Sequence, residues 1–246
     1  MPRIYLSPST QEWNGYVTGG SEEDHMNLLA DALTPYLLSC AIQFRRNTPD
    51  MTAASSIRQA NEGKYDFYLA LHSNASGEGH YGENRGIVAF YYPGSEGGER
   101  AAELIVRNLR SVYPLPAMVR VQSTTSLGEV RLPEAPAVLA EIGYHDNAAD
   151  AAWLETHMDA AAQALARALT EWFGIPFVWP EGIRWGTVDA GGEALNLRAL
   201  PSSEGTVVTR IPTGGTVEIR GEWQGWYVVR YGVWTGYAAS AYILMA

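Results

Sequence analysis

Residues 66–74 read Asp66-Phe-Tyr-Leu-Ala-Leu-His-Ser-Asn74, an apolar run that ends in a histidine and an asparagine. A second run, Ala137-Val-Leu-Ala-Glu-Ile-Gly-Tyr-His-Asp-Asn147, carries a glutamate near its end. Neither run alternates apolar with polar residues, which predicts strands buried on both faces. In an open α/β sheet, ligands and catalytic groups gather at the carboxyl ends of the strands. A buried charged side chain there is costly unless it has a partner or a task. His72 and Glu141 are therefore the most informative pair in the chain, and they point to zinc-assisted hydrolysis.

Further strand-like runs lie at 3–7, 40–45, 86–92 and 116–122, with helical patterns at 22–38, 51–62, 97–112 and 148–173 between them. Strands alternating with helices predict an α/β fold, a mostly parallel sheet with helices on both faces, over residues 1–177. Residues 178–185 hold Pro180, Gly182 and two tryptophans and read as a linker. From 186 to 246 short strands separated by Gly, Pro and Ser turns predict a small all-β barrel.

Net charge is −10 with no basic cluster, which excludes nucleic acid as a partner. No signal peptide or apolar run long enough to span a membrane is visible, so no membrane partner is expected. The expected behaviour is that of a monomer, held inside the cell until lysis or trimmed from a secreted precursor. The one cysteine, Cys40, lies in an apolar stretch and reads as a core thiol, which argues against a cysteine nucleophile.

Helix 22–38 opens with Glu22-Glu23-Asp24, a first turn that suits the helix dipole. Glu22 continues the stripe of Met26, Leu29, Ala30, Leu33 and Leu37, whereas Glu23 points about 100° away. Glu22 is thus the candidate ligand, with Glu23 as substitute if the register slips by one. His72 with Glu22 is a partial zinc set, since catalytic zinc takes about three protein ligands and a water. Glu141 is placed as general base and acid.

With these segments in order, residues up to about 175 resemble the zinc-dependent N-acetylmuramoyl-L-alanine amidase 3 family. The resemblance rests on Glu22, Arg46-Asn-Thr-Pro-Asp50, Arg58-Gln-Ala-Asn61, Leu71-His-Ser-Asn74 and Glu141-Ile-Gly-Tyr-His-Asp-Asn147. It implies cleavage of the amide between the muramoyl lactyl group and L-alanine of the peptidoglycan stem peptide. It implies zinc held by Glu22 and His72, with Glu141 catalytic and Asn74 and Arg131 contacting substrate. The family's first strand ends in Asp-Pro-Gly-His-Gly and supplies a ligand histidine; here the strand runs Leu6-Ser-Pro-Ser-Thr-Gln11, with Thr10 at that position. Gln11, His25 and His145 are the candidates to replace it. His80 and Arg85 read as polar loop residues and His157 as structural.

The carboxyl-terminal module resembles a bacterial SH3 domain through Leu195-Asn-Leu-Arg-Ala-Leu-Pro-Ser202, Gly225-Trp-Tyr-Val-Val229 and Thr235-Gly-Tyr237. The resemblance implies cell-wall binding, with Trp223, Trp234 and Tyr237 as the aromatic surface and Trp226 in the core.

Overall fold

Six strands pair into the first sheet: β1 (Arg3–Pro8), β2 (Gln43–Arg46), β3 (Phe67–Asn74), β4 (Ile87–Tyr91), β5 (Val119–Ser123) and β6 (Ala137–Tyr144). Their order is β2-β1-β3-β6-β4-β5. The pairs β1–β3, β3–β6 and β4–β5 are parallel, but β4 runs antiparallel to β6, so the sheet is mixed and parallel-rich. Helices α1 (Glu22–Ser39), α2 (Ala53–Gly63), α3 (Glu96–Leu109), α4 (Gly128–Arg131) and α5 (Ala148–Phe173) complete this part. The computed structural model describes residues 1–246. Two units emerge, one of Arg3–Thr34 and Phe44–Trp172, the other of Met1–Pro2, Pro35–Gln43 and Phe173–Ala246.

The central strands are buried on both faces, with Tyr5, Leu6, Phe67 to Leu71, Val138 and Ala140 excluded from solvent. Met26, Leu29, Leu33 and Leu37 of α1 are likewise fully buried, each stabilising the fold by about 1.5–3 kcal/mol. Two strands start later than the sequence pattern suggests. Cys40 and Ala41 close α1, Ala41 in a left-handed turn at φ 59°, so β2 begins at Gln43. Pro116–Met118 form a 3-10 turn ahead of β5. The four-residue α4 has no counterpart in the sequence pattern. Cys40 is buried, and its sulfur accepts from the Val178 amide at 3.2 Å.

The strand pair that carries His72 and Glu141 ends in a bulge. Register runs His72↔Glu141 and then Asn74↔Tyr144, so Ile142 and Gly143 oppose Ser73 alone. Gly143 takes φ 84°, which a side chain would strain. Just beyond, the buried Asp150 locks the strand ends together. Its carboxylate accepts from the amides of Gly86 (2.9 Å) and Tyr144 (3.1 Å), from Arg85 Nε (3.0 Å) and from the Tyr113 hydroxyl. Asp150→Ala strands several buried donors, and urea denaturation is expected to register a loss of about 3 kcal/mol or more. A loss within experimental error would remove Asp150 from this role.

In the other unit, seven antiparallel strands form a barrel-like sheet: β7 (Arg184–Val188), β8 (Leu195–Arg198), β9 (Val207–Ile211), β10 (Thr216–Trp223), β11 (Trp226–Tyr231), β12 (Trp234–Ala239) and β13 (Ile243–Met245). Their order is β13-β7-β10-β11-β12-β8-β9. Val188, Leu197, Ile211, Val217, Ile219 and Val229 fill the core. Two aromatic placements differ from the sequence reading. Tyr237 is fully buried, its hydroxyl donating to the Cys40 carbonyl, so it belongs to no surface. Trp226 is half-buried instead of core, because it follows the tight turn Gln224–Gly225, where both residues have positive φ and β11 has only begun. It lines a cavity of about 310 Å³ with Asn196, Arg198 and Tyr242. Trp223 is half-buried and Trp234 is 47% exposed.

Candidate active site

The register places His72 and Glu141 side by side on adjacent strands, on one face of the sheet. Glu22, the first residue of α1, reaches the same place and is buried, while Glu23 is half-buried and apart from the cluster. His72 is bracketed: Nδ1 lies 2.8 Å from Glu22 Oε1 and Nε2 lies 2.8 Å from Glu129 Oε2. Both carboxylates are held in turn. Glu22 accepts from Asn14 Nδ2 at 2.7 Å and from the Ser73 amide at 3.3 Å. Glu129 Oε1 accepts from the hydroxyls of Ser7 and Tyr68, each at 2.7 Å.

Glu129 is the site residue that sequence reasoning missed. Its segment, Leu127-Gly-Glu-Val-Arg131, drew attention only to Arg131. The available signal was an acid set between Leu127 and Val130, and α4 turns it inward while leaving Arg131 exposed.

These contacts set the charges. Burial alone would lower the His72 pKa, yet hydrogen bonds to Glu129 and Glu22 raise it well above the usual imidazole value. Burial pushes Glu22 and Glu129 upward, but the hydrogen bonds and charge of His72, with their other donors, bring both below the ordinary carboxylate value. Glu141 has no such partner. Burial raises it to about 7, helped by the charges of Glu22 and Glu129 and opposed by His72. Its Oε2 is buried with no hydrogen-bond partner.

A cavity of about 660 Å³ opens here, lined among others by Gln11, Trp13, Met51, His72, Glu129 and Glu141. Trp13 is 73% exposed at its rim. Gln11 therefore joins the cluster, its amide nitrogen 3.3 Å from His72 Nδ1. Other candidates do not. Arg131 and Asn74 lie outside the cavity lining, Asn74 Oδ1 accepting from the Ala75 amide. His25 stacks on Tyr16 with ring centroids 3.7 Å apart and contacts the Ser21 carbonyl and Glu155. His145 Nδ1 sits 3.0 Å from the Ser73 carbonyl. His80 pairs with Glu83 in an exposed loop, and Arg85 is taken by Asp150.

The donor set does not fit a three-ligand zinc centre. Zinc needs about three histidine, cysteine or carboxylate ligands, and no group of three such side chains is arranged to hold an ion. Glu22 and His72 supply two, the position of the first histidine is Thr10, and Gln11 offers only an amide.

The N-acetylmuramoyl-L-alanine amidase family model matches residues 10–171, and the bacterial SH3 domain model matches residues 193–243. Sequence comparison with curated proteins returns no match. Among solved structures, the amidase AmiC2 of Nostoc punctiforme superposes with a TM-score of 0.62 at 15% identity, over 70% of this chain and 97% of that one. The catalytic domain of CwlV from Bacillus (Paenibacillus) polymyxa var. colistinus gives 0.61 at 17%, over 72% and 100%. The catalytic domain of the CD27L endolysin, which targets Clostridia difficile, gives 0.57 at 19%, over 70% and 98%. The family is generally zinc-dependent. With its fold, its strand-end glutamate and the matched residues 10–171 agreeing, the chain belongs to the N-acetylmuramoyl-L-alanine amidase family, hydrolases of peptidoglycan, and carries a bacterial SH3 domain after it.

Proposed function

We propose that the site cleaves the lactyl–L-alanine amide with Glu141 as the proton-transferring group. The observation that supports this most is the buried, partnerless carboxyl oxygen of Glu141 in the wall of the cavity. Ionised Glu141 takes a proton from water as the water oxygen bonds to the carbonyl carbon. The resulting acid then gives that proton to the alanine nitrogen as the C–N bond breaks. Gln11, on the same wall, offers amide hydrogens to the carbonyl oxygen. Trp13, Met51 and Leu127 give an apolar face for the sugar and stem peptide.

Residues 1–177 are read as the catalytic region, 178–185 as the link and 186–246 as the wall-binding module, acting as a monomer on peptidoglycan outside the cell. For wall binding the module offers Trp234 and Tyr242, which are exposed, and Trp223 and Trp226, which are half-buried. The test is a digest of purified peptidoglycan by the full chain, read by mass spectrometry. Stem peptides with a free L-alanine amino group are expected. Cuts within the stem peptide would make it a peptidase instead, and absence of any product despite wall binding would make it an inactive homologue.

A further inference from the structure

Between Glu22 and His72 the surroundings are filled by protein hydrogen bonds. Asn14 Nδ2 donates to Glu22 Oε2 at 2.7 Å and to Gln11 Oε1 at 3.1 Å, fixing the Gln11 amide against His72. The Ser73 amide donates to the other Glu22 oxygen. On the far side of the ring, Glu129 holds Nε2 while accepting two hydroxyls. Lone pairs that could face an ion therefore already receive protein hydrogens.

The remaining histidines and the cysteine supply no third ligand. The chain has five histidines and one cysteine. His25, His80 and His145 are engaged as described, and His157 contacts the Trp153 carbonyl and the Thr156 hydroxyl. Cys40 is buried in the other unit.

We propose that this site no longer takes the family's metal ion: Glu22 and Glu129 hold the His72 ring from both sides, Gln11 and Asn14 occupy the side of Glu22 and His72 that would face an ion, and the chain binds no zinc there. Joined to the proposed function, this makes hydrolysis by Glu141 independent of metal. The binding half of the inference stands without that reading.

The full chain, purified without a polyhistidine tag from zinc-supplemented cells, is analysed for metal content and then titrated with zinc against a chromophoric chelator. No stoichiometric zinc and no competition with the chelator are expected. The double variant Thr10→His/Gln11→Gly, which rebuilds a histidine–glycine strand end, is expected to gain one zinc per chain. Circular dichroism checks that it folds. Zinc in the wild type at one per chain, lost in His72→Ala, would overturn the proposal. A folded double variant that stays zinc-free would overturn the part assigned to Thr10 and Gln11. In the wall digest, product yield unchanged by chelator agrees with the inference, whereas yield lost to chelator and restored by zinc contradicts it. Absence of product under every condition counts against the proposed activity alone, because the metal measurements do not depend on it.

Discussion

Glu141→Gln is expected to lower the rate of peptidoglycan hydrolysis by about a hundredfold to ten-thousandfold, the usual worth of a positioned acid–base group. Folding and wall binding should persist, since the carboxyl oxygen Oε2 makes no hydrogen bond that the amide would break. The pH dependence gives the sharper check. Burial, reinforced by Glu22 and Glu129 against the opposing charge of His72, holds Glu141 near 7. The base form is depleted below that value, so log kcat/KM should rise with unit slope as pH approaches 7 and level off above it. Stability moves in the opposite sense. An acid raised in the fold destabilises it once ionised, a penalty that begins above pH 4.5 and is complete above 7. The glutamine variant escapes that penalty and should gain up to about 3 kcal/mol at alkaline pH. A variant that is less active and more stable marks a residue held for chemistry. If Glu141→Gln keeps most of the wild-type activity, the role assigned to Glu141 fails.

Much of this was legible in the chain before any coordinates. The non-alternating runs around Leu69 and Leu139 announce strands buried on both faces, and both are central in the sheet. The stripe from Met26 to Leu37 fixes the inward face of α1, and with it the choice of Glu22 over Glu23 as the acid beside His72. The turn-rich end of the chain gives its antiparallel strands away in the same manner. What could not be read depends on contacts distant in sequence. Glu129 meets Ser7, Tyr68 and His72 only because α4 settles against the sheet, and a four-residue helix leaves no periodicity to detect. The antiparallel direction of β4 is likewise invisible to a pattern of buried residues, which is the same for either direction. Tyr237 was misplaced for a related reason. Along β12 it is Ala238 that joins the barrel core, so Tyr237 points to the opposite face, where it is buried with its hydroxyl on the Cys40 carbonyl, a contact distant in sequence.

Glu129→Leu is expected to destabilise the amidase unit by about 3–5 kcal/mol, the cost of removing one partner from a buried ion pair. Leucine roughly conserves volume, so the loss reports interactions more than a cavity: His72 Nε2 and the hydroxyls of Ser7 and Tyr68 are all left without their acceptor. The loss should depend on pH. Glu129 lies below its ordinary 4.5 in the fold, so its contribution is present above 4.5 and fades as pH falls through the folded value. His72 lies well above its ordinary 6.5, so its contribution is present below 6.5 and fades as pH rises through the folded value. Wild type and variant should therefore differ most between these two ordinary values, and urea denaturation across a pH series measures it. The double variant His72→Gln/Glu129→Leu supplies the control, because removing both charges spares the cost of an uncompensated buried one. It should lose less stability than Glu129→Leu and His72→Gln taken together. A difference that is small and flat with pH, or strict additivity in the double variant, would mean that the ring and the carboxylate are neighbours without being an ion pair.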